Sequence, residues 1–320
     1  MKINGQDILI GLIAGAATAL LCLGVATGSG LSILLYLLSA VPIMVAGLGW
    51  SLAASIVATI VATVAVFVTA NEMTALFVIL TTALPAAASA YWMTLSRPAD
   101  EMGGPKGKLV WFPLSDVLLR MGLMIGTAFI IIGIAINYGP ELMKPVLDEL
   151  VANLQMNNPN FSFSPEARNQ FDAAILGMMP FMQPLMWTCI MVGNLYIALK
   201  ITATSGQLKR PPEDFPTALR MPKISLIPLG IAALLSLIGG TLSLVASAIL
   251  GGISAGFMLS GYAMFHAYTR GRAWRPFGMF ILYFVTILTM LPPFLMFFVG
   301  LFSLARSMPI SNPPHKDSNE

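Results

Sequence analysis

Between Ile8 and Ser96 the chain carries a single formally charged residue, Glu72. Helices of a water-soluble protein need a polar face toward the solvent, and charged side chains normally supply it. An uncharged stretch of this length therefore excludes a soluble globular fold and predicts a chain that lies in lipid. The whole composition agrees, because charged residues make up 10% of the chain, against about 25% in soluble domains.

The apolar stretches are long enough to cross a membrane several times. A helix needs about 20 apolar residues to span a hydrocarbon core about 30 Å thick. We predict an all-α polytopic transmembrane bundle of eight to nine spans, a single membrane domain over 1–320 that opens with a four-span block at 8–95. The predicted spans are 8–27, 31–48, 51–70, 73–95, 114–138, 173–199, two within 224–269 that meet near Gly239 and Gly240, and 276–305.

The distribution of positive charge predicts the orientation. Lys and Arg concentrate in loops 97–113, 200–223 and 270–275, whereas loop 139–172 holds only two such residues. Loops rich in Lys and Arg remain in the cytoplasm, and the number of spans between these loops is consistent with that assignment. We therefore expect a multi-pass protein of the bacterial cytoplasmic (inner) membrane with its N-terminus in the cytoplasm.

Asp7 is unsuited to the positively charged start of a signal peptide, so we expect 8–27 to be a retained span. We expect 277–304 to cross once and to leave a disordered tail, 306–320, outside the cell. The alternative is a hairpin that returns the tail to the cytoplasm, because Pro292-Pro293 removes two main-chain donors.

Loop 139–172 is the long extracytoplasmic segment of the predicted topology. Its first half, 140–156, is predicted to form an amphipathic helix with one apolar face. Ser164, Pro165 and Glu166 then provide an N-cap, a proline at the first helical position and an acid in the first turn, which predicts a new helix. The amphipathic helix either rests on the lipid surface or covers an outward-facing cavity.

Loop 200–223 is the longest predicted cytoplasmic loop and has five basic residues. Four prolines, at positions 211, 212, 216 and 222, prevent a continuous helix. We expect an extended connector, with the further possibility of a docking surface for a cytoplasmic partner.

Small residues recur four positions apart on one face of three predicted spans. Such stripes allow helix backbones to approach closely in lipid. They serve packing inside the bundle or, on the first span, the docking of another membrane subunit. The stripes are Gly11, Gly15 and Ala19, then Gly122 and Gly126, then Gly252, Gly256 and Ser260.

Five polar residues inside apolar segments are candidates for function. Asp116 and Arg120 are four residues apart, so they share a helix face and are candidates for an intramembrane ion pair. The alternative is an interfacial position from which Arg120 extends to the lipid headgroups. Asn137, Gln183 and Asn194 are candidates for lining a polar cavity.

Several function classes find no support in the sequence. It contains no His-Glu-x-x-His, Gly-x-Ser-x-Gly or Gly-x-x-x-x-Gly-Lys motif, so we expect neither an enzyme nor a bound cofactor. Nucleic-acid binding is not expected, because no basic stripe carries interleaved aromatic residues. Cys22 and Cys189 lie alone in apolar segments, so we expect buried thiols rather than a disulfide or a metal site.

Three features of the chain form one pattern: a four-span opening rich in Ala and Gly, an external loop after the fifth span, and abutting spans in 224–269. This pattern resembles the YybS-like membrane proteins of bacteria, a family defined by a domain of unknown function. That family is grouped with the substrate-binding S components of energy-coupling factor transporters. S components dock their transmembrane partner through small residues on the first span, which the resemblance assigns to Gly11, Gly15 and Ala19.

The resemblance implies a subunit that binds a small solute and works with a membrane partner and an ATPase module. It transfers no ligand-binding residue to this chain. The alternative function is a membrane scaffold or accessory protein that organises a complex through loop 200–223.

Overall fold

The computed structural model describes residues 4–158 and 162–304, and these are mostly helical with almost no strand, which confirms the all-α prediction. Four apolar segments of membrane-spanning length open the chain at the predicted positions. A 3-10 turn, Gly24–Thr27, extends the first, and a π-helical turn, Ile79–Ala83, lies within the fourth. The helices are α1 (Gly5–Leu23), α2 (Gly30–Leu37), α3 (Val41–Gly49), α4 (Leu52–Thr69), α5 (Glu72–Val78) and α6 (Leu84–Thr94).

A small antiparallel hairpin, β1 (Ser96–Pro98) and β2 (Leu109–Trp111), connects this block to the second half of the chain. Eight further α-helices follow among the described residues, including one of 40 residues that continues well beyond its predicted span. They are α7 (Leu114–Ala135), α8 (Pro140–Asn157), α9 (Pro165–Thr204), α10 (Phe215–Ala218), α11 (Leu226–Ser236), α12 (Gly240–Tyr268), α13 (Arg275–Leu288) and α14 (Leu291–Ser303).

The described residues contain seven helices, or eight counting a bent pair, that are long and apolar enough to cross a membrane. With the bent pair counted as one span, the count of eight agrees with the lower end of the predicted eight to nine spans. The ninth predicted span, in 224–238, is too short. There α11 has 11 residues and a length of about 17 Å, short of the hydrocarbon core. The break before α12 falls where predicted, since Gly239 and Gly240 both have positive φ.

The last apolar segment is broken rather than continuous, near the proline pair that raised this alternative to a simple single crossing. Helices α13 and α14 meet at a bend of 118°. Pro292 and Pro293 occupy the first turn of α14, where a missing N–H removes no helical hydrogen bond. A sharply bent span and a re-entrant hairpin both fit this geometry, and the predicted tail 306–320 lies outside the described residues.

The small-residue stripe of the first span packs inside the chain. A β-carbon on Gly11 would lie 2.5 Å from the Cβ of Val57, and one on Gly15 would lie 2.6 Å from the carbonyl oxygen of Ala58. Ala19 on the same face is 3% exposed. The structure therefore contradicts the prediction, implied by the resemblance, that a partner docks through this stripe. Helix α4 of the same chain already covers it.

The other two stripes meet each other where α7 crosses α12. A β-carbon on Gly122 would lie 2.5 Å from the carbonyl oxygen of Gly252, and one on Gly126 would lie 2.9 Å from that of Ala248. Glycine at these positions lets the two backbones touch, which suits association in lipid, where the hydrophobic effect does not draw helices together. Helix α12 also packs on α9, α11 and α14, so it is the central helix of this half.

Contacts at one end of the bundle bring together the segments predicted to be cytoplasmic. Arg210 is 4% exposed and donates to the main-chain oxygen of Phe112 at 2.7 Å. Arg270 donates to Asp214 at 2.7 Å. These bonds join the loops around 95–113, 205–222 and 269–274 into one surface, which we call the basic face.

The N-terminus lies on the same face. Asp7 accepts a hydrogen bond of 2.6 Å from Ser51 in the turn between α3 and α4, and a β-carbon on Gly49 would lie 3.4 Å from that of Gln207. The relative arrangement of the loops therefore matches the parity that the positive charges predicted.

Candidate functional site

A cavity of about 910 Å³ lies at the end of the bundle opposite the basic face. Its walls come from the end of α1 and the 3-10 turn after it, from α2, α5, α7, α8, α9 and the start of α12, and from the turn after α7. All of the described residues that line it are uncharged, and most are aliphatic or aromatic. Ligand cavities commonly have volumes of about 300–1,000 Å³ and mostly apolar walls with a few polar groups.

Helix α8 forms the outer wall of this cavity. It is the amphipathic helix predicted from the sequence, and the side chains of Met143, Leu147 and Val151 are buried. Leu142, Met143 and Val146 line the cavity. Leu150 and Leu154 of the same helix remain exposed, so contact with lipid and a cover over the cavity both fit its position. We call α8 the lid helix.

The lid helix is attached to the start of α9 by an ion-pair network. Ser164 caps α9 as predicted, accepting from the main-chain N–H of Ala167 at 3.2 Å. One turn later Arg168 donates to Asp172 at 2.9 Å and to Asp148 of the lid helix at 2.6 Å.

Two prolines in α9 change the hydrogen bonding beside the cavity. Pro180 has no N–H to offer the carbonyl group of Leu176, and the Tyr138 hydroxyl donates to that oxygen instead at 2.8 Å. Pro184 likewise has no N–H for the carbonyl of Pro180, a residue that lines the cavity. Tyr138 itself lines the cavity, so this bond fixes its outer rim.

Aromatic side chains form the inner end of the cavity. Trp187 lies behind Tyr36 and Phe77, with ring centroids 5.7 and 5.3 Å away. Its indole N–H donates to the main-chain oxygen of Thr81 in the π-helical turn at 2.7 Å. A π-helical turn leaves main-chain groups poorly paired, and such turns are frequent at functional sites. Trp187 therefore supports both the turn and the two rings that line the cavity.

The structure brings together two of the three predicted polar residues. Asn137 and Gln183 both line the cavity. Asn137 lies in the turn after α7 with φ of 50°, a left-handed conformation that asparagine adopts more readily than most residues. Tyr36 joins them and was missed by the sequence analysis, although it is the one hydroxyl-bearing aromatic residue in an otherwise aliphatic segment.

Asn194 was predicted to line the cavity, and this prediction is wrong, because the residue lies outside it. Its side chain is buried and donates to the main-chain oxygen of Leu37 at 2.7 Å and to that of Ile190 at 2.8 Å. The first bond satisfies a carbonyl at the break between α2 and α3. Asn194 therefore has a structural role in joining α9 to this break.

The prediction of an intramembrane ion pair between Asp116 and Arg120 is also wrong. The four ion pairs among the described residues include neither Asp116 nor Arg120. The Arg120 guanidinium lies over the rings of Phe112 and Trp92, 4.7 and 5.5 Å from their centroids. Stacking on aromatic faces near the end of a span satisfies an arginine without a carboxylate partner.

The apolar helices, their glycine crossings and the cavity together define a multi-pass α-helical integral membrane protein. A comparison with protein-family models, curated proteins and solved structures finds no match to this chain. Among the described residues, no group of three or more His, Cys, Asp or Glu side chains is placed to hold a metal ion.

Proposed function

We propose that the protein is the substrate-binding subunit of a membrane transport system and captures a small molecule from the outer side of a bacterial inner membrane. The observation that carries this proposal is the cavity of about 910 Å³ under the lid helix. Asn137 and Gln183, which the sequence predicted to line a cavity, both line this one. In this orientation the N-terminus and the basic face are cytoplasmic.

A partner supplies the energy in this proposal, since the sequence has no phosphate-binding loop of its own. The protein is a binding subunit rather than an enzyme, consistent with its YybS-like pattern. A partner subunit would contact an outward-facing surface of the bundle, because the stripe of Gly11 and Gly15 already packs on α4.

The proposal is tested by filling the cavity. Gly133 lines it, and a β-carbon there would meet only the Cβ of Tyr138, at 3.7 Å. Gly133→Leu should fill the space while leaving the fold intact. Gly177→Leu makes the same change in α9 at an exposed position with no atom within 4 Å, so it is a matched control.

The readout is native mass spectrometry of the protein gently released from lipid nanodiscs. The wild type and Gly177→Leu should retain a stoichiometric small molecule, and Gly133→Leu should lose it. Equal occupancy in all three proteins, or an empty wild type, would overturn the proposal.

A scaffold function is the second candidate, and the ordered basic face favours it. Arg210 and Asp214 fasten loop 205–222 to the bundle while Pro211, Pro212 and Glu213 stay exposed. If the protein is a scaffold, Glu213→Gln should release cytoplasmic partners from the purified complex, whereas Gly133→Leu should retain them.

A further inference from the structure

We propose that the cavity selects an uncharged, largely apolar molecule that carries a hydroxyl or amide hydrogen-bond donor. This inference rests on the proposed function, since it names the class of ligand for the same cavity. It is carried by three observations: the absence of charge from the described lining, the aromatic inner end, and a carbonyl that a proline leaves open.

The first observation is electrostatic. The described lining residues include no Asp, Glu, Lys, Arg or His. Moving an ionised group from water into an apolar site without a partner is strongly unfavourable. Glu141 and Lys144 of the lid helix are exposed and do not line the cavity. A carboxylate or ammonium ligand would therefore find no opposite charge there.

The second observation is the nature of the apolar walls. Phe77 and Phe129 are both lining residues and make an edge-to-face pair with centroids 5.9 Å apart. Met73, Met143 and Met179 also line the cavity. Thioether side chains are flexible and polarisable, so they adapt to the outline of an apolar ligand. These walls suit a hydrocarbon or aromatic body.

The third observation concerns hydrogen bonds. Pro184 cannot donate to the carbonyl of Pro180, a residue that lines the cavity, so this acceptor lacks its usual helical donor. Gln183, on the same face of α9, has no side-chain hydrogen bond among the described residues, and the same is true of Tyr36. A ligand O–H or N–H would satisfy the carbonyl, and the amide and hydroxyl can then bond to the ligand in return.

These polar groups lie along the wall of the cavity, away from the rim bond of Tyr138. Gln183 is two helical turns, about 10 Å, beyond Leu176, whose oxygen binds the rim residue Tyr138. Gln183 is itself exposed, so water competes for its bond to a ligand, and we expect the effect of one net hydrogen bond. An apolar molecule without a donor would leave the open carbonyl unsatisfied.

The test uses four probes that share one body and differ in one group: 4-butylphenol, 4-butylbenzoate, 4-butylbenzylamine and 4-butyltoluene. Equilibrium dialysis at pH 7.4 against the full chain in nanodiscs, with empty nanodiscs subtracted, measures specific binding. The phenol should bind at least tenfold more tightly than either charged probe or the toluene. Gln183→Leu should weaken phenol binding about fivefold, the effect of one net hydrogen bond.

Gln207→Leu is the matched control, because it makes the same change at an exposed position on the basic face. Tyr36→Phe, which removes only a hydroxyl, is a second variant if Gln183→Leu is poorly folded. Binding of the benzoate, benzylamine or toluene as tightly as the phenol would overturn the ligand class and leave the proposed function standing. Absence of specific binding by all four probes would instead count against the cavity as a binding site, and against both proposals.

Discussion

Arg168 of α9 donates to Asp148 of the lid helix at 2.6 Å, so one guanidinium joins the cover of the cavity to a membrane-spanning helix. The same side chain also binds Asp172, four residues along α9, which orients it toward the lid. The Asp148 side chain is 56% exposed, so water competes for this bond. An attachment of this kind is weak enough to open.

We predict that Asp148→Asn loosens the lid helix without unfolding the bundle. Hydrogen exchange of amides in 140–157 should become about two- to fivefold faster, as expected when one partly exposed ion pair is lost. The measurement is hydrogen–deuterium exchange mass spectrometry in nanodiscs. Glu149→Gln, the neighbouring exposed carboxylate without an ion pair among the described residues, should leave the exchange unchanged. Equal acceleration by both variants would mean that the Arg168 bond does not hold the lid.

Local sequence signals predicted most of the fold. The starts of α8 and α9 follow from Pro140 and from the Ser164 cap, and the break before α12 follows from Gly239. These features are local, because capping, proline geometry and positive φ depend on a few neighbouring residues. The length of α11 was harder to predict, because uniformly apolar sequence does not mark where a helix begins inside the bundle.

The candidate site was predicted only in part, because its composition depends on contacts between distant segments. Asn137 and Gln183 line the cavity, whereas Asn194 satisfies a carbonyl on α2, more than 150 residues earlier in the chain. Polarity within an apolar segment identifies all three residues but does not tell which of them faces a space. Arg120 shows the same limit, since its aromatic partner Trp92 belongs to another span.

We predict that Gly15→Leu destabilises the protein rather than releasing a partner. A β-carbon at this position would lie 2.6 Å from the main-chain oxygen of Ala58, so a larger side chain must force α1 and α4 apart. Overpacking of this kind costs about 1–3 kcal/mol. The midpoint of thermal unfolding in detergent should fall, while Ala16→Leu on the exposed side of α1 should leave it unchanged. A stable, folded Gly15→Leu protein that has lost a subunit would restore the docking interpretation.

The proposed orientation is tested by labelling single cysteines in a background where Cys22 and Cys189 are replaced by alanine. Cysteine introduced at Gln207, on the basic face, should react with a membrane-impermeant maleimide only in inside-out vesicles. Cysteine at Asn153, exposed on the lid helix, should react in intact spheroplasts. The reverse pattern would invert the protein in the membrane and place the cavity in the cytoplasmic half.

The bond between Asp214 and Arg270 gives a prediction about pH. The Arg270 guanidinium holds the pKa of Asp214 below its usual value. A carboxylate with a lowered native pKa stabilises the fold above its unfolded pKa, near 4, and this contribution is lost as the pH falls through the native value. Both side chains are over 40% exposed, so the gain is below about 1 kcal/mol.

Asp214→Asn should therefore lower the unfolding midpoint slightly at pH 7, and its difference from the wild type should shrink as the pH is lowered through 4 toward 3. Thermal unfolding across this range measures both effects. Asp100→Asn, in the neighbouring exposed loop, should match the wild type at every pH. A difference that grows on acidification would contradict the assigned pKa direction.

The largest single effect on the basic face should come from Arg210, which is 4% exposed and binds both the Phe112 oxygen and Glu213. Arg210→Met would leave a main-chain acceptor and a carboxylate without their donor. Removing one member of a buried charged network costs about 3–5 kcal/mol, reduced here because Glu213 is partly exposed.

We expect a drop of several degrees in the unfolding midpoint of Arg210→Met and none in that of Lys209→Met, the exposed neighbour. Arg210→Lys should be intermediate, since an ammonium group reaches one partner but lacks the planar fork that binds two. If all three variants unfold at the same temperature, the two loops are not held together by this arginine.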